Sequence, residues 1–142
     1  MSRVSARDKL LKAAGELFYD HGITATGVDA VITRAGVAKM SLYNNFKSKS
    51  ELIAAYIDAR HQEWLDLFAR RSENLSNGWE RVLAVFDAYQ DHAEFDYQNG
   101  FRGCGLLNAA AEMPADSAER EAVNRHKQEV RDIVINQLSE LP

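Results

Sequence analysis

Apolar residues recur along this chain three and four positions apart, and alternation of period two is nowhere sustained, so the pattern predicts an all-α chain. Ser5 with Asp8 starts a first helix that lines up Leu10, Ala14, Leu17 and Phe18 before Gly22 stops it. Thr26 with Asp29 starts a second, bearing Val28, Val31 and Ile32 and ending at Gly36. A short third runs from Ala38 to Asn45, with Val37, Leu42 and Phe46 as its buried residues. Ser48 with Glu51 forms a capping box for a long fourth helix, on which Leu52, Ile53, Tyr56, Ile57, Trp64, Leu67 and Phe68 keep helical spacing. Asn77 with Glu80 opens a fifth, carrying Trp79, Val82, Leu83, Phe86 and Tyr89. The small-residue stretch 103–114 forms a sixth, stopped by Pro114, and Asp116 with Glu119 opens a seventh with Val123, Val130, Ile133, Val134, Leu138 and Leu141.

Composition supports a real core: of 142 residues, 46% are hydrophobic and 27% charged. The single cysteine, Cys104, rules out an internal disulfide and is no zinc site by itself. No secretory h-region precedes the first helix and no apolar run reaches membrane-spanning length, so a soluble, cytoplasmic protein without a membrane partner is expected. The formal net charge of −4 is unevenly spread. Residues 1–49 hold eight basic and four acidic side chains, a net +4, whereas residues 50–142 hold nine and seventeen, a net −8.

The basic surplus gains meaning in "GVAKMSLYNNFKSKSEL", residues 36–52. A short helix anchored by Val37, Leu42 and Phe46 leaves Lys39, Met40, Ser41, Tyr43, Asn44 and Asn45 outward, and a helix of that size fits the major groove of DNA. Asparagine pairs with adenine and lysine with guanine, while the hydroxyls of Ser41 and Tyr43 reach bases or phosphates. Lys47 and Lys49 flank the helix where the phosphate backbone would pass, and the helix starts at Thr26 and Ser48 add main-chain amides. Asn45 reads better as a device closing the helix C-terminus than as a base reader.

The stretch resembles the tetracycline-repressor (TetR) family of bacterial regulators, whose pattern G-V-S-x-G-(S/T)-L-Y-x-H-F-x-(S/N)-K-x-x-L stands here over residues 36–52, with the likeness extending over residues 8–57. The resemblance implies a three-helix helix-turn-helix domain in residues 1–49 and a helical effector-binding and dimerisation domain in residues 50–142. It implies that Thr26 and Lys49 contact phosphate and that Lys39, Ser41, Tyr43 and Asn44 lie on the recognition helix. Three positions depart from the pattern. Ala38 stands where a serine caps the helix, a loss of about 1 kcal/mol; Met40 replaces a small residue and Asn45 a histidine. The implied partners are a palindromic double-stranded operator read by a homodimer and a small organic effector that releases a repressor from it. The usual last two helices, which pair subunits, are expected to be missing, so a helical small-molecule-binding or partner-binding module without regulated DNA binding is the alternative.

For the effector, "FRGCGLLNAAAE" resembles the family's sixth-helix region, and Trp64, Phe68, Phe86, Tyr89, Phe101, Cys104, Leu107, Asn108 and Met113 are the candidate lining groups, each with plain core packing as its competing role. The four histidines are widely spaced along the chain, and "DHAEFD", residues 91–96, reads as a solvated acidic face rather than a metal cage. No nucleophile elbow, phosphate loop or zinc-hydrolase motif occurs, so neither an enzyme nor a cofactor is expected; catalysis by Cys104 would need a basic neighbour that the sequence does not reveal.

Overall fold

The computed structural model describes residues 3–95 and 97–141; Asp96, the last residue of the acidic stretch, and Pro142 lie outside them. Among the described residues seven helices run in order: α1 (Ala6–His21), α2 (Val28–Ala35), α3 (Lys39–Asn45), α4 (Lys49–Ser72), α5 (Gly78–Ala93), α6 (Gly105–Glu112) and α7 (Ala118–Leu138). Most caps fall where the sequence puts them. The Ser5 hydroxyl accepts the Asp8 N–H at 3.0 Å. Ser48 Oγ accepts the Glu51 N–H at 3.2 Å while the Glu51 carboxylate takes the Lys47 N–H at 2.9 Å, closing the box at the start of α4. Two starts differ. Gly27, without a side-chain bond, precedes α2, because the Thr26 hydroxyl turns inward and donates to the Gly22 carbonyl at 2.7 Å. At α7 the capping oxygen belongs to Ser117, not Asp116, and accepts the Arg120 N–H at 3.2 Å.

Helices α1, α2 and α3 pack on one another as a three-helix head. Between α2 and α3, Gly36 takes a left-handed conformation (φ 68°), and its N–H and that of Val37 fold back onto the Ile32 carbonyl. Glycine adopts that conformation without a Cβ clash, which makes the sharp turn cheap. Helix α3 has only seven residues and an uncapped start at Ala38, too short to persist alone. Its order comes from Leu42 and Phe46, which are buried against Leu10, Val31 and Leu52.

Helix α4 belongs to two cores. Its first half contributes Leu52, Ile53, Tyr56 and Ile57 to the core of the head, where Leu106 and Ala109 of α6 and Ala122 and Val123 of α7 also pack. Its second half carries Trp64 and Phe68 into another cluster with Ala84, Val85 and Ala88 of α5, covered by Val130, Ile133 and Val134 of α7. The first core therefore extends across the expected boundary at residues 49 and 50. On α5 the buried face is Val82, Ala84, Val85 and Ala88, whereas Trp79, Leu83 and Phe86 lie exposed. Hydrophobic spacing alone offers both faces of α5, and the structure uses the one lined by small residues, which lets α4 and α7 come close. Among the described residues, no helix is long and apolar enough to cross a membrane.

Truncating Leu42 to alanine should cost about 2–5 kcal/mol in urea unfolding, whereas Asn44→Ala, exposed on the same helix, should change stability by no more than about 0.5 kcal/mol. Equal effects would mean that α3 is not held by its buried face.

Candidate nucleic-acid interface

The outward side of α3 presents Lys39, Met40, Tyr43 and Asn44. Met40 is 68% exposed and Tyr43 43%, and the Lys39 ammonium sits 3.6 Å from the Asp29 carboxylate of α2, a solvent-exposed pair that a phosphate or base competes with easily. Lys47 is exposed beyond the helix end. Ser41 is half-buried, and its carbonyl accepts the Asn45 side-chain amide at 2.7 Å. Asn45 thus closes the helix C-terminus as expected, through its side chain and not through a left-handed backbone, since no non-glycine residue among those described has positive φ. Phe46 is seated under the Arg7 guanidinium, 5.3 Å from its ring centre.

Two expected phosphate contacts are otherwise engaged. Thr26 is 3% exposed and its hydroxyl is spent on the chain turn, so the side chain cannot reach a ligand in this conformation. The Lys49 ammonium donates to the Ile23 carbonyl at 2.8 Å. On the other side of the same turn, the Glu112 carboxylate at the end of α6 accepts the N–H groups of Ile23 at 2.8 Å and Thr24 at 3.0 Å. Partial burial pushes the Glu112 pKa up, yet these donors and Lys49 outweigh it and hold the carboxyl below its ordinary 4.5. Gly22 permits the approach, with φ 89° and Glu112 Oε1 only 3.1 Å from where a Cβ would stand.

Further bonds tie the head to the body. Tyr19 of α1 stacks on Tyr97 at 4.5 Å, donates to the Gly103 carbonyl at 2.9 Å and accepts the Arg102 N–H at 2.6 Å. Arg34, paired inside the head with Glu16, also donates to Gln98, and Asn99 donates to Asp20. Sequence reasoning missed all of these because the partners lie far apart in the chain and no local pattern pairs them.

The nine candidate effector residues do not form one pocket. Trp64, Tyr89 and Cys104 meet at a void of about 20 Å³, room for one water. The buried Trp64 indole N–H has no protein partner, while Phe68 stacks behind that ring. Phe86, Phe101 and Leu107 are exposed by 55–63% and Asn108 is also exposed, its amide donating to the Arg102 carbonyl at 2.8 Å. Met113 packs against the first core. Cys104 does have a basic neighbour, Lys127 of α7, with Nζ 3.5 Å from its sulfur. A larger cleft of about 350 Å³ opens between α1, α4 and the side chains of Phe95, Tyr97 and Gln98, with Leu11, Tyr19, Tyr56 and Arg60 also in its lining. Burial pushes the Tyr56 hydroxyl up to about 12.

Residues 10–56 match the model of the bacterial regulatory proteins, tetR family. The chain is 38% identical over 103 residues to the HTH-type transcriptional activator FasR of Mycolicibacterium smegmatis, covering 72% of this chain and 46% of that one. It is 33% identical over 98 residues to the HTH-type transcriptional repressor KstR2 of the same organism, covering 63% and 46%. The chain thus spans about half the length of these curated relatives. Among solved structures, a TetR-family transcriptional regulator from Streptomyces coelicolor is similar with a TM-score of 0.84 and 33% identity, over 95% of this chain and 70% of that one. A second, from Streptomyces avermitilis, gives 0.77 and 30% over 96% and 73%.

Because its folded pKa is depressed, Glu112 contributes stability that is present above the ordinary carboxylate value and is lost as pH falls through the lower folded value. Glu112→Gln should therefore cost about 1 kcal/mol at pH 7 and flatten the loss of stability below pH 4.5. Parallel pH profiles for the two proteins, followed by urea unfolding, would show that the carboxylate does not grip the turn.

Proposed function

This chain belongs to the TetR family of bacterial regulatory proteins, and we propose that it is a DNA-binding transcriptional regulator that reads an operator with α3. The observation that carries this reading is the division of α3 into a buried side, Leu42 and Phe46, and an exposed side, Lys39, Met40, Tyr43 and Asn44, after a glycine-closed turn. Held that way, the helix offers cationic, amide and hydroxyl groups together to a major groove. Lys47, one helix turn beyond Tyr43, is left to neutralise phosphate. Lys49 reaches phosphate with the two ammonium protons not given to Ile23. Residues 1–49 form the reading head and residues 50–142 the responsive body.

A pair of such heads reads a palindrome, since two-fold symmetry in the protein requires two-fold symmetry in the site. A repressor of this design lets go when a small organic effector shifts α4 and, with it, the spacing of the heads. The aromatic cleft between α1, α4, Phe95 and Tyr97 has the volume of an effector seat. Its lining touches both head and α4, so an occupant would bear on both.

Selection of bound duplexes from a random pool, with light scattering of the complex, should return a palindromic site bound by two chains. By fluorescence anisotropy, Lys47→Ala should weaken binding to every duplex and reduce the salt slope by about 1, whereas Asn44→Ala should relax preference at one base pair by about 1–3 kcal/mol. Unchanged affinity and selectivity in both variants would refute α3 as the reading helix.

A further inference from the structure

Two of the four histidines, distant in sequence, meet between α4 and α7. The imidazoles of His61 and His126 stack with centroids 4.2 Å apart. His61 Nε2 lies 2.9 Å from Glu129 Oε2, and His126 Nε2 lies 2.8 Å from Asp58 Oδ1. Asp58 and His61 are three residues apart on α4, His126 and Glu129 three apart on α7, so each helix turns one imidazole and one carboxylate to the same seam. We propose that His61, His126 and Glu129 bind a divalent transition-metal ion, of which zinc is the type, that bridges α4 and α7.

The geometry is near that of a coordination shell. One ligand atom from each of the three residues lies within 4.8 Å of the others. Ligands about 2.0–2.2 Å from a tetrahedral zinc stand about 3.3–3.6 Å apart. The His61–Glu129 pair, at 2.9 Å, is closer than that and opens slightly as a metal enters, while the remaining gap to His126 closes by rotating His126, which is half-buried, and Glu129, which is exposed. His61 is 4% exposed and its ring lies parallel to Trp64, so the least movable ligand is already fixed.

The donor types select the ion. Two imidazoles and a carboxylate suit zinc and its neighbours, whereas calcium and magnesium take shells of oxygen. Asp58, bonded to one nitrogen of His126, fixes which ring nitrogen is left for the metal, the carboxylate–histidine relation typical of metal sites. With both imidazoles neutral, Asp58 and Glu129 balance a dication. Metal entry displaces the proton shared between His61 Nε2 and Glu129, which moves to Nδ1 of that ring or to solvent. The site makes no contact with the reading face of α3, and its existence is independent of DNA binding.

Titration of the full chelator-treated chain with zinc chloride by calorimetry should show one saturable ion per chain, and cobalt(II) in its place should give the visible absorption of a four-coordinate centre. Zinc should also raise the thermal midpoint, because it binds the folded state. His126→Ala and Glu129→Gln alter accessible residues and should fold, as circular dichroism will verify; each should weaken binding tenfold or more, and Asp58→Asn by about tenfold. Cys104→Ala and His92→Ala should bind as the parent does. Absence of saturable binding, binding that survives both His126→Ala and Glu129→Gln, or binding lost in Cys104→Ala or His92→Ala would each overturn the assignment.

Discussion

One rod of 24 residues, α4, is shared by two hydrophobic cores, and the rest of the molecule is arranged around that sharing. A helix of this length extends about 36 Å without a break, so displacement of one end is carried along it toward the other. Its first turns are packed inside the head with Leu10, Phe18 and Phe46, and its later turns against α5 and α7. Ser48 and Glu51 fix where the rod begins, directly after α3.

The turn between α1 and α2 is the second place where head and body are joined. A carboxylate from α6 holds the amide side of the Ile23 peptide region and an ammonium from the start of α4 holds its carbonyl. Together with Tyr19 on Tyr97 and the Arg34–Gln98 bond, these contacts make the head a part of the body's surface rather than a bead on a string. Rotation of α4 against α6 must therefore strain or break a specific, partly desolvated set of bonds, and not merely slide two apolar faces.

Local chemistry in the sequence carries far into this fold. Ser5, Ser48, Asn77, Gly22 and Gly36 mark helix ends because caps and left-handed turns are decided within four residues, and Leu42 and Phe46 stand out because their spacing has no other use. The exposed face of α3 follows by subtraction from the same pattern. What is not legible depends on distance. Thr26 looks like a helix cap by spacing, but its hydroxyl is claimed by the Gly22 carbonyl once the turn closes. On α5 the apolar set Trp79, Leu83 and Phe86 competes with Val82, Val85 and Ala88, and only the neighbours' need for close packing decides between them. Glu112, Lys127 and the His61–His126 pair acquire their partners through tertiary contacts that no local period encodes.

The separation of the two sides of α3 bears on how such a protein changes over generations. Leu42 and Phe46 keep the helix in place without taking part in its outer surface, while Lys39, Met40, Tyr43 and Asn44 contribute almost nothing to the core. Mutations on the outer row are therefore close to neutral for folding. A lineage can drift through many outer sequences while abundance and folding in the cell stay unchanged. A departure such as Met40 fits that freedom, whereas Asn45, bonded to the Ser41 carbonyl, lies off the outer row.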